Sequence, residues 1–531
     1  MRFFNSGSLD TSGLKKDLAS GFFVFLIALP LCLGIAMASG FPPVGGVLTA
    51  IIGGLVATFI GSSTLTIKGP AAGLIVIAIG AVTDLGGGDP MLGYRRALAV
   101  GVVAALIQLT FVAFRAATLG VAMSPSVVHG MLAAIGVIII SKQAHTMFGV
   151  SPETKGPLNL LAEIPHSLGR ANPEIAFIGI LALAILFLWP LIKAPWAKKI
   201  PAPMVVILTS VPLGFLFDLD HSHTYSLAGH NYHIGPDYLV QLPGSLLKAV
   251  TFPDFSVVFS ATSIKYILMF ALVGTIESTL SVLAVDAMDP KKRASDLNKD
   301  LFAVGVGNLL CALLGGLPMI SEIVRSKANI DAEAKSAWSN FFHGTFLLLF
   351  VALAPGLLHR IPLAALAAML VYTGTRLASP TELRHAKELG RDQLTFFTIT
   401  LVMTLATDLL VGVTVGLITK LCFHAARGVG LKAFFKPEVN HAVEDGVMTI
   451  EVHGAAIFST VLKLKKLCHD LSPDITKVTV DLRHASLVDH TFIKNLDTMA
   501  DEWPNAELEY LGLDEMHSTS EHPLCSRRRV A

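Results

Sequence analysis

LVATFIGSSTLTIKGPAAGLIV, residues 55–76, breaks what would otherwise be one long apolar run. The apolar stretch 55–60 gives way to Gly61, Ser62, Ser63, Thr64, Thr66 and Lys68; Gly69-Pro70 follows, and a second apolar run opens at Ala71. Neither run alone has the ~20 residues needed to cross a ~30 Å hydrocarbon core. Irregular backbone at membrane depth persists only where protein or a water-filled cavity satisfies its N–H and C=O groups. Pro70 suits a first helical position, where its missing N–H would be an orphan anyway. On that reading the N–H groups of Ala71 and Ala72 are free and point back into the break, with the positive end of a helix dipole behind them. The stretch reads as a seat for an anion.

The rest of the chain supports a membrane setting. Of 531 residues, 53% are hydrophobic and only 15% are charged, against about 25% in soluble chains. A net charge of +1 gives no pull toward nucleic acid, and no basic–aromatic patch suggests it. Five scattered cysteines (Cys32, Cys311, Cys422, Cys468, Cys525) form neither a disulfide framework nor a metal-ligand spacing. The amino terminus is polar from Arg2 to Asp17, and the first apolar run is too long for a cleaved signal.

About fourteen apolar segments start near residues 20, 44, 70, 97, 126, 175, 203, 263, 297, 320, 337, 362, 392 and 409. An even count puts both termini on one side. Lys15/Lys16, Lys193/Lys198/Lys199, Lys291/Lys292/Arg293 and Arg384/Lys387/Arg391 share that side, although Arg95, Arg96, Lys142 and Arg170 dissent. The positive-inside rule then places both termini in the cytoplasm. In the second half, GNLLCALLGG (307–316) is again an apolar run ending in glycines, followed by the interruption 317–322 and a short helix carrying Arg325. Two broken segments at corresponding places point to a transporter built from inverted repeats, with its half-helix amino termini meeting near the midplane. From about Lys432 the pattern changes: strands at 447–452, 478–482 and 508–513 alternate with helices at 460–470 and 491–500. That is a small α/β domain, with a polar, loosely ordered tail from Asp514.

Taken in order, ALPLCLGIAMASGFPPVGG (28–46), GSSTLTIKGPAAG (61–73), GTIESTLSVLAVD (274–286) and GGLPMISEIVRSKANI (315–330) resemble the sulfate permease (SulP) anion transporters. VTVDLRHASLVDHT (478–491) resembles part of a STAS domain. The resemblance implies fourteen spans as a seven-plus-seven inverted repeat, with a core (gate) domain moving elevator-like against a scaffold that often dimerises. The implied domains are a cytoplasmic amino terminus (1–19), a transport domain (20–425; repeats at about 20–217 and 263–425) and a STAS-like domain (437–531). It also implies the bacterial inner membrane, and a small inorganic anion as substrate, bicarbonate ahead of sulfate.

The same resemblance places Gly69, Pro70, Ala71 and Ala72 of the first break around the substrate, with Ser321, Glu322, Ile323 and Arg325 of the second. A Gly-Pro kink in an ordinary bundle is the plain alternative for the first group. Glu277 lies mid-segment, where an unpaired charge costs roughly 2.5–3.5 kcal/mol on insertion scales, so it is functional by default. Ser281, four residues on, faces the same way. In sodium-coupled relatives a carboxylate and a hydroxyl at these positions help bind the cation, so the pair is assigned to Na⁺ or H⁺; the alternative is a structural hydrogen bond. Arg325 suits an oxyanion, or could partner Glu322 or Glu277. Glu322 departs from many relatives, which carry a small residue there. It would repel an anion unless protonated or paired, and is expected to turn outward or bind Arg325. On the first segment, Ala28 and Ile35 replace larger side chains of animal relatives, which suggests a pocket wider or differently filled. Lys68 either attracts anions locally or sits at the surface. The four histidines within 218–233 have no zinc spacing, Asp408 reads as a helix cap, and His490 stands where many regulatory STAS domains have a phosphorylatable serine.

An anion channel, a dicarboxylate/H⁺ symporter, a non-transporting STAS signalling protein and a nucleobase permease are the competing readings. No nucleophile–base set, phosphate loop or metal motif suggests an enzyme, and no cofactor is implied beyond Na⁺ as a coupling ion.

Overall fold

The computed structural model describes residues 12–115, 117, 123–154, 156–195, 197, 200–227, 229–241, 249–434, 436–468, 474–500, 503 and 506–529. The residues before 12, together with Lys198, Lys199 and Asp470, entered the expectations above and lie outside the described ones. The chain divides into two compact units, one formed by residues 1–117, 135–291 and 295–377, the other by 118–134, 292–294 and 378–531.

The first unit opens with α1 (Leu14–Ala38) and α2 (Pro43–Ile52). The second of these runs on through a π turn at Gly53–Ala57 to Ile60. Strand β1 (Ile67–Pro70) follows, then α3 (Ala72–Gly86), whose first turn is 3₁₀. Next come α4 (Pro90–Ala113), α5 (Pro125–Met147, entering from the second unit), α6 (Pro157–Gly169), α7 (Pro173–Leu188) and α8 (Ala202–Leu216). An exposed hairpin, β2 (His223–Leu227) with β3 (His230–Ile234), holds the histidine-rich stretch. The second half brings α9 (Ala261–Met288), α10 (Leu297–Leu314), β4 (Met319–Glu322), α11 (Ile323–Asp331), α12 (Trp338–Leu353) and α13 (Leu363–Leu377). Local chemistry sets the helix starts. Proline occupies the first position of α2, α4, α5, α6 and α7, where no N–H is missed. Asp89, Ser260 and Asp296 cap α4, α9 and α10 with side-chain oxygens.

Among the described residues, eight helices are long and apolar enough to cross a membrane; Ala72–Gly86, Ala202–Leu216 and Trp338–Leu353 are shorter apolar ones. Every expected segment start has a helix within a few residues of it. The largest offsets are at Leu14 and Pro90, where α1 and α4 begin with polar turns ahead of their apolar runs. Packing is close where side chains are absent: a Cβ on Gly54, in the π turn that follows α2, would lie 2.6 Å from the Cα of Gly344 on α12. Leu33, Val47, Ile175, Leu366 and Met369 join α1, α2, α7 and α13 in one buried core, where Ala28 is likewise buried.

In the second unit, α14 (Pro380–Leu389), α15 (Arg391–Ala406) and α16 (Leu409–Ala426) lead into an α/β domain. Asp408 caps α16, its carboxylate accepting from Val411 N–H at 3.0 Å. The domain comprises β5 (Glu438–Glu444), β6 (Val447–Ala456), α17 (Phe458–Cys468), β7 (Lys477–Asp481), β8 (Ala485–Val488), α18 (His490–Ala500), β9 (Glu507–Leu511), β10 (His517–Ser518) and β11 (Arg527–Arg528). Strands run β10-β11-β8-β6-β7-β9, with β5 also on β6. The β6–β7, β7–β9 and β6–β8 pairs are parallel, over a core of Ile450, Leu464, Val478, Val480, Phe492 and Leu496. The tail is a correction to the sequence reading. Arg527 and Arg528 pair with Val488 and Leu487, and Cys525 is fully buried, because the polar tail completes the edge of the sheet.

Candidate functional site

The two breaks meet as a short antiparallel ribbon: Ile67, Lys68, Gly69 and Pro70 of β1 stand opposite Glu322, Ser321, Ile320 and Met319 of β4. Both outer edges are served by side chains. Ser326 Oγ accepts from Ile67 N–H at 2.8 Å and Asn340 Oδ1 from Lys68 N–H at 3.2 Å. On the β4 side, Asn308 Oδ1 accepts from Met319 N–H at 2.6 Å while its amide donates to Met319 C=O at 3.2 Å. Ser278 Oγ accepts from Ser321 N–H at 3.2 Å. Irregular backbone deep in the protein is thereby satisfied without water.

This geometry corrects three expectations. Pro70 ends a strand instead of opening a helix, and the Ala71 N–H is not free: it donates to Pro318 C=O at 3.1 Å. The first-turn amides of α3 that face side chains instead of a backbone acceptor are those of Ala72 and Gly73. Lys68 is neither snorkelling nor at the surface. Its Nζ lies 2.9 Å from Asp300 Oδ1, each side chain 2% exposed, and also donates to Thr66 Oγ1 at 2.9 Å, since a buried ammonium needs acceptors close at hand. Glu322 does not turn outward and makes no ion pair with Arg325 among the described residues. It is 9% exposed and its carboxylate lies against the Ala72 N–H at the start of α3.

Arg325, on α11, is 1% exposed, and its Nη1 and Nη2 are buried with no hydrogen-bond partner. Its guanidinium packs on the Cα of Gly69, where a Cβ would collide with Nη1. Cys32 of α1 and His343 of α12 face it. Glu277 on α9 is half-buried, its carboxylate set against Gly73 and its Oε2 buried without a partner. Ser281 is buried one turn further along α9, and Ser321 Oγ donates to Asp300 Oδ2 at 3.1 Å. The structure thus brings Gly69, Pro70, Ala71, Ala72, Ser321, Glu322, Arg325 and Glu277 into one neighbourhood. Ile323 points its side chain away, 41% exposed. Ile35 is buried on α1. A small, largely apolar crevice adjoins the breaks at Leu74 and Pro318, with Gln108 and Asn308 as its polar lining.

Asp300, Asn308, Asn340, Cys32 and His343 were missed from sequence. His343 carried a signal, an ionisable group inside the apolar run FFHGTF (341–346). Asp300 looked like an ordinary acidic residue in the first turn of a helix.

Comparison with known proteins gives a consistent answer. Residues 14–401 match the Sulfate permease family. The putative sulfate transporter YvdB of Bacillus subtilis is 27% identical over 415 residues, 78% of this chain and 74% of that protein. The transmembrane domain of a cyanobacterial bicarbonate transporter, BicA, superposes with a TM-score of 0.64 at 23% identity, covering 78% of this chain and all of that one. The murine Slc26a9 anion transporter, in its inward-facing state, superposes at 0.68 and 15% identity over 94% of this chain and 86% of that one. With a polytopic helical fold shared by both structures and a family match over most of its length, this chain belongs to the sulfate permease family of membrane transporters.

Proposed function

We propose that this chain is a secondary active transporter of a small inorganic anion, bicarbonate ahead of sulfate, coupled to H⁺ or Na⁺ through Glu277 and Ser281. One observation carries the reading: the buried guanidinium of Arg325 has both terminal nitrogens unpartnered, beside the amino terminus of α3. A buried cation without a partner is costly, and a two-oxygen anion supplies the missing acceptors. The preference for bicarbonate rests on similarity to BicA alone. Because β1 and β4 hold the two half-helices together, alternating access is assigned to an elevator-like movement of that body. Both termini lie in the cytoplasm of a plasma membrane, the assembly is a homodimer, and the carboxy-terminal α/β domain is a STAS-like structural or interaction module.

Uptake of labelled bicarbonate, sulfate and succinate into proteoliposomes, each with and without imposed Na⁺ and pH gradients, tests this. One of the first two accumulates against its gradient, and Arg325→Gln abolishes that accumulation. Flux that never exceeds electrochemical equilibrium would make the protein a channel, and preference for succinate a dicarboxylate carrier.

A further inference from the structure

Two of the donors an anion would use, alongside the unpartnered fork of Arg325, already face carboxylates. Glu322 lies against the N–H of Ala72 and Glu277 against that of Gly73, consecutive amides at the first turn of α3. Each carboxylate keeps one buried oxygen without a partner, Glu322 Oε1 and Glu277 Oε2. With both glutamates ionised, Arg325 leaves the group one negative charge in excess, and such a group repels an anion. The other charged or titratable groups do not correct this. Lys68 and Asp300 neutralise one another in their own pair. Cys32 faces Arg325 and Glu322, and His343, packed beside Arg325, would repel that guanidinium if it became a cation.

We propose that Glu277 and Glu322 act as a built-in competitor for the anion, and that one proton taken up by the pair releases the Ala72 and Gly73 amides so that anion and proton bind together. This rests on the anion site proposed above and names its coupling ion. On the loading side, one proton passes from water to a bare carboxylate oxygen; two carboxylates sharing a site hold a single proton between them. A neutral carboxyl loses most of its attraction for the helix amino terminus. The anion's oxygens then take the freed amides and the Arg325 fork. On the opposite side the proton returns to water, and the recharged carboxylate recovers its amide and expels the anion. No bond other than O–H forms or breaks, and nothing is oxidised.

The test is equilibrium binding of labelled sulfate and of labelled chloride to the full-length protein in Na⁺-free buffer. Neither anion changes charge between about pH 5.5 and about pH 8, and linkage of one proton tightens binding about tenfold per unit of acidification. The expected result is that slope in the wild-type protein, and a flat profile in Glu322→Gln, with binding at about pH 8 tighter than wild type. Glu277→Gln flattens the slope as well. The wild-type slope decides the matter without any variant, should a glutamine form misfold. Binding that ignores pH, a slope that survives in both glutamine variants, or tightening that follows Na⁺ instead of acid would overturn the proposal. Failure of both anions to bind at any pH, and of labelled bicarbonate at about pH 8, would instead overturn the anion site on which it stands.

Discussion

Lys68 and Asp300 show how much a single pair can decide. The two side chains are sealed from solvent 2.9 Å apart, and the same carboxylate holds Ser321, so one acidic group on α10 grips both breaks. Removing one partner strands a buried charge, at about 3–5 kcal/mol, whereas removing both is close to neutral. Lys68→Met should therefore lower the melting temperature in detergent sharply, and Lys68→Met with Asp300→Leu should recover part of the loss, the remainder reflecting the acceptor Ser321 no longer has. Equal melting of the single and double variants would show that the pair is not what holds the ribbon. Gly69 works differently. An added methyl meets only the tip of the Arg325 side chain, which can move. Gly69→Ala should keep the fold by scanning fluorimetry while losing anion uptake, because the guanidinium is displaced from the seat.

At the scale of elements, the ribbon depends on side chains from flanking helices. Asn308→Leu would leave the N–H and C=O of Met319 without their partners. Each orphaned buried group costs ~1–3 kcal/mol, so a drop in melting temperature together with lost uptake is expected. An unchanged melting profile would mean that water replaces the amide. The helices themselves were legible in the sequence, because a bilayer forces spanning segments to be apolar and exposes any Gly-, Pro- or Ser-rich break. The pairing of the breaks was not. Ile67 finds Glu322, and Lys68 finds Asp300, across more than 200 residues of chain, and no local pattern encodes such partners. Pro70 misled for a related reason, since proline suits the end of a strand with a free edge as well as the start of a helix. The amphipathic helices α6 and α14 went unseen because their apolar positions are too few to stand out beside the membrane runs.

For the molecule as a whole, acid should also act on stability outside the membrane. In the second unit Asp489 is buried against Lys420, whose Nζ lies 2.6 Å from Oδ2 and 2.7 Å from Thr491 Oγ1. Burial works to raise this carboxyl, but Lys420 and then His424 overcome it and hold it well below the usual range. Its contribution is therefore present above about pH 4 and lost only in stronger acid. His490 behaves otherwise. Its Nδ1 lies 2.7 Å from Leu524 C=O, and burial pushes its pKa down to about 4. Between about pH 6.5 and that value the unfolded chain binds the extra proton, so stability falls with acid by about 3 kcal/mol. Once corrected for the intrinsic slowing of amide exchange in acid, hydrogen exchange along α18 in the full-length protein should accelerate across that window, and His490→Gln should remove the effect. Acceleration that persists in the variant would assign it to another group. The ribbon has a mechanical consequence as well. Four residues from each break are locked in register, and a slip by one would turn every inward side chain outward. On the elevator-like movement proposed above, neither half-helix would yield by itself, so the moving body would carry both, with its joints outside residues 67–70 and 319–322.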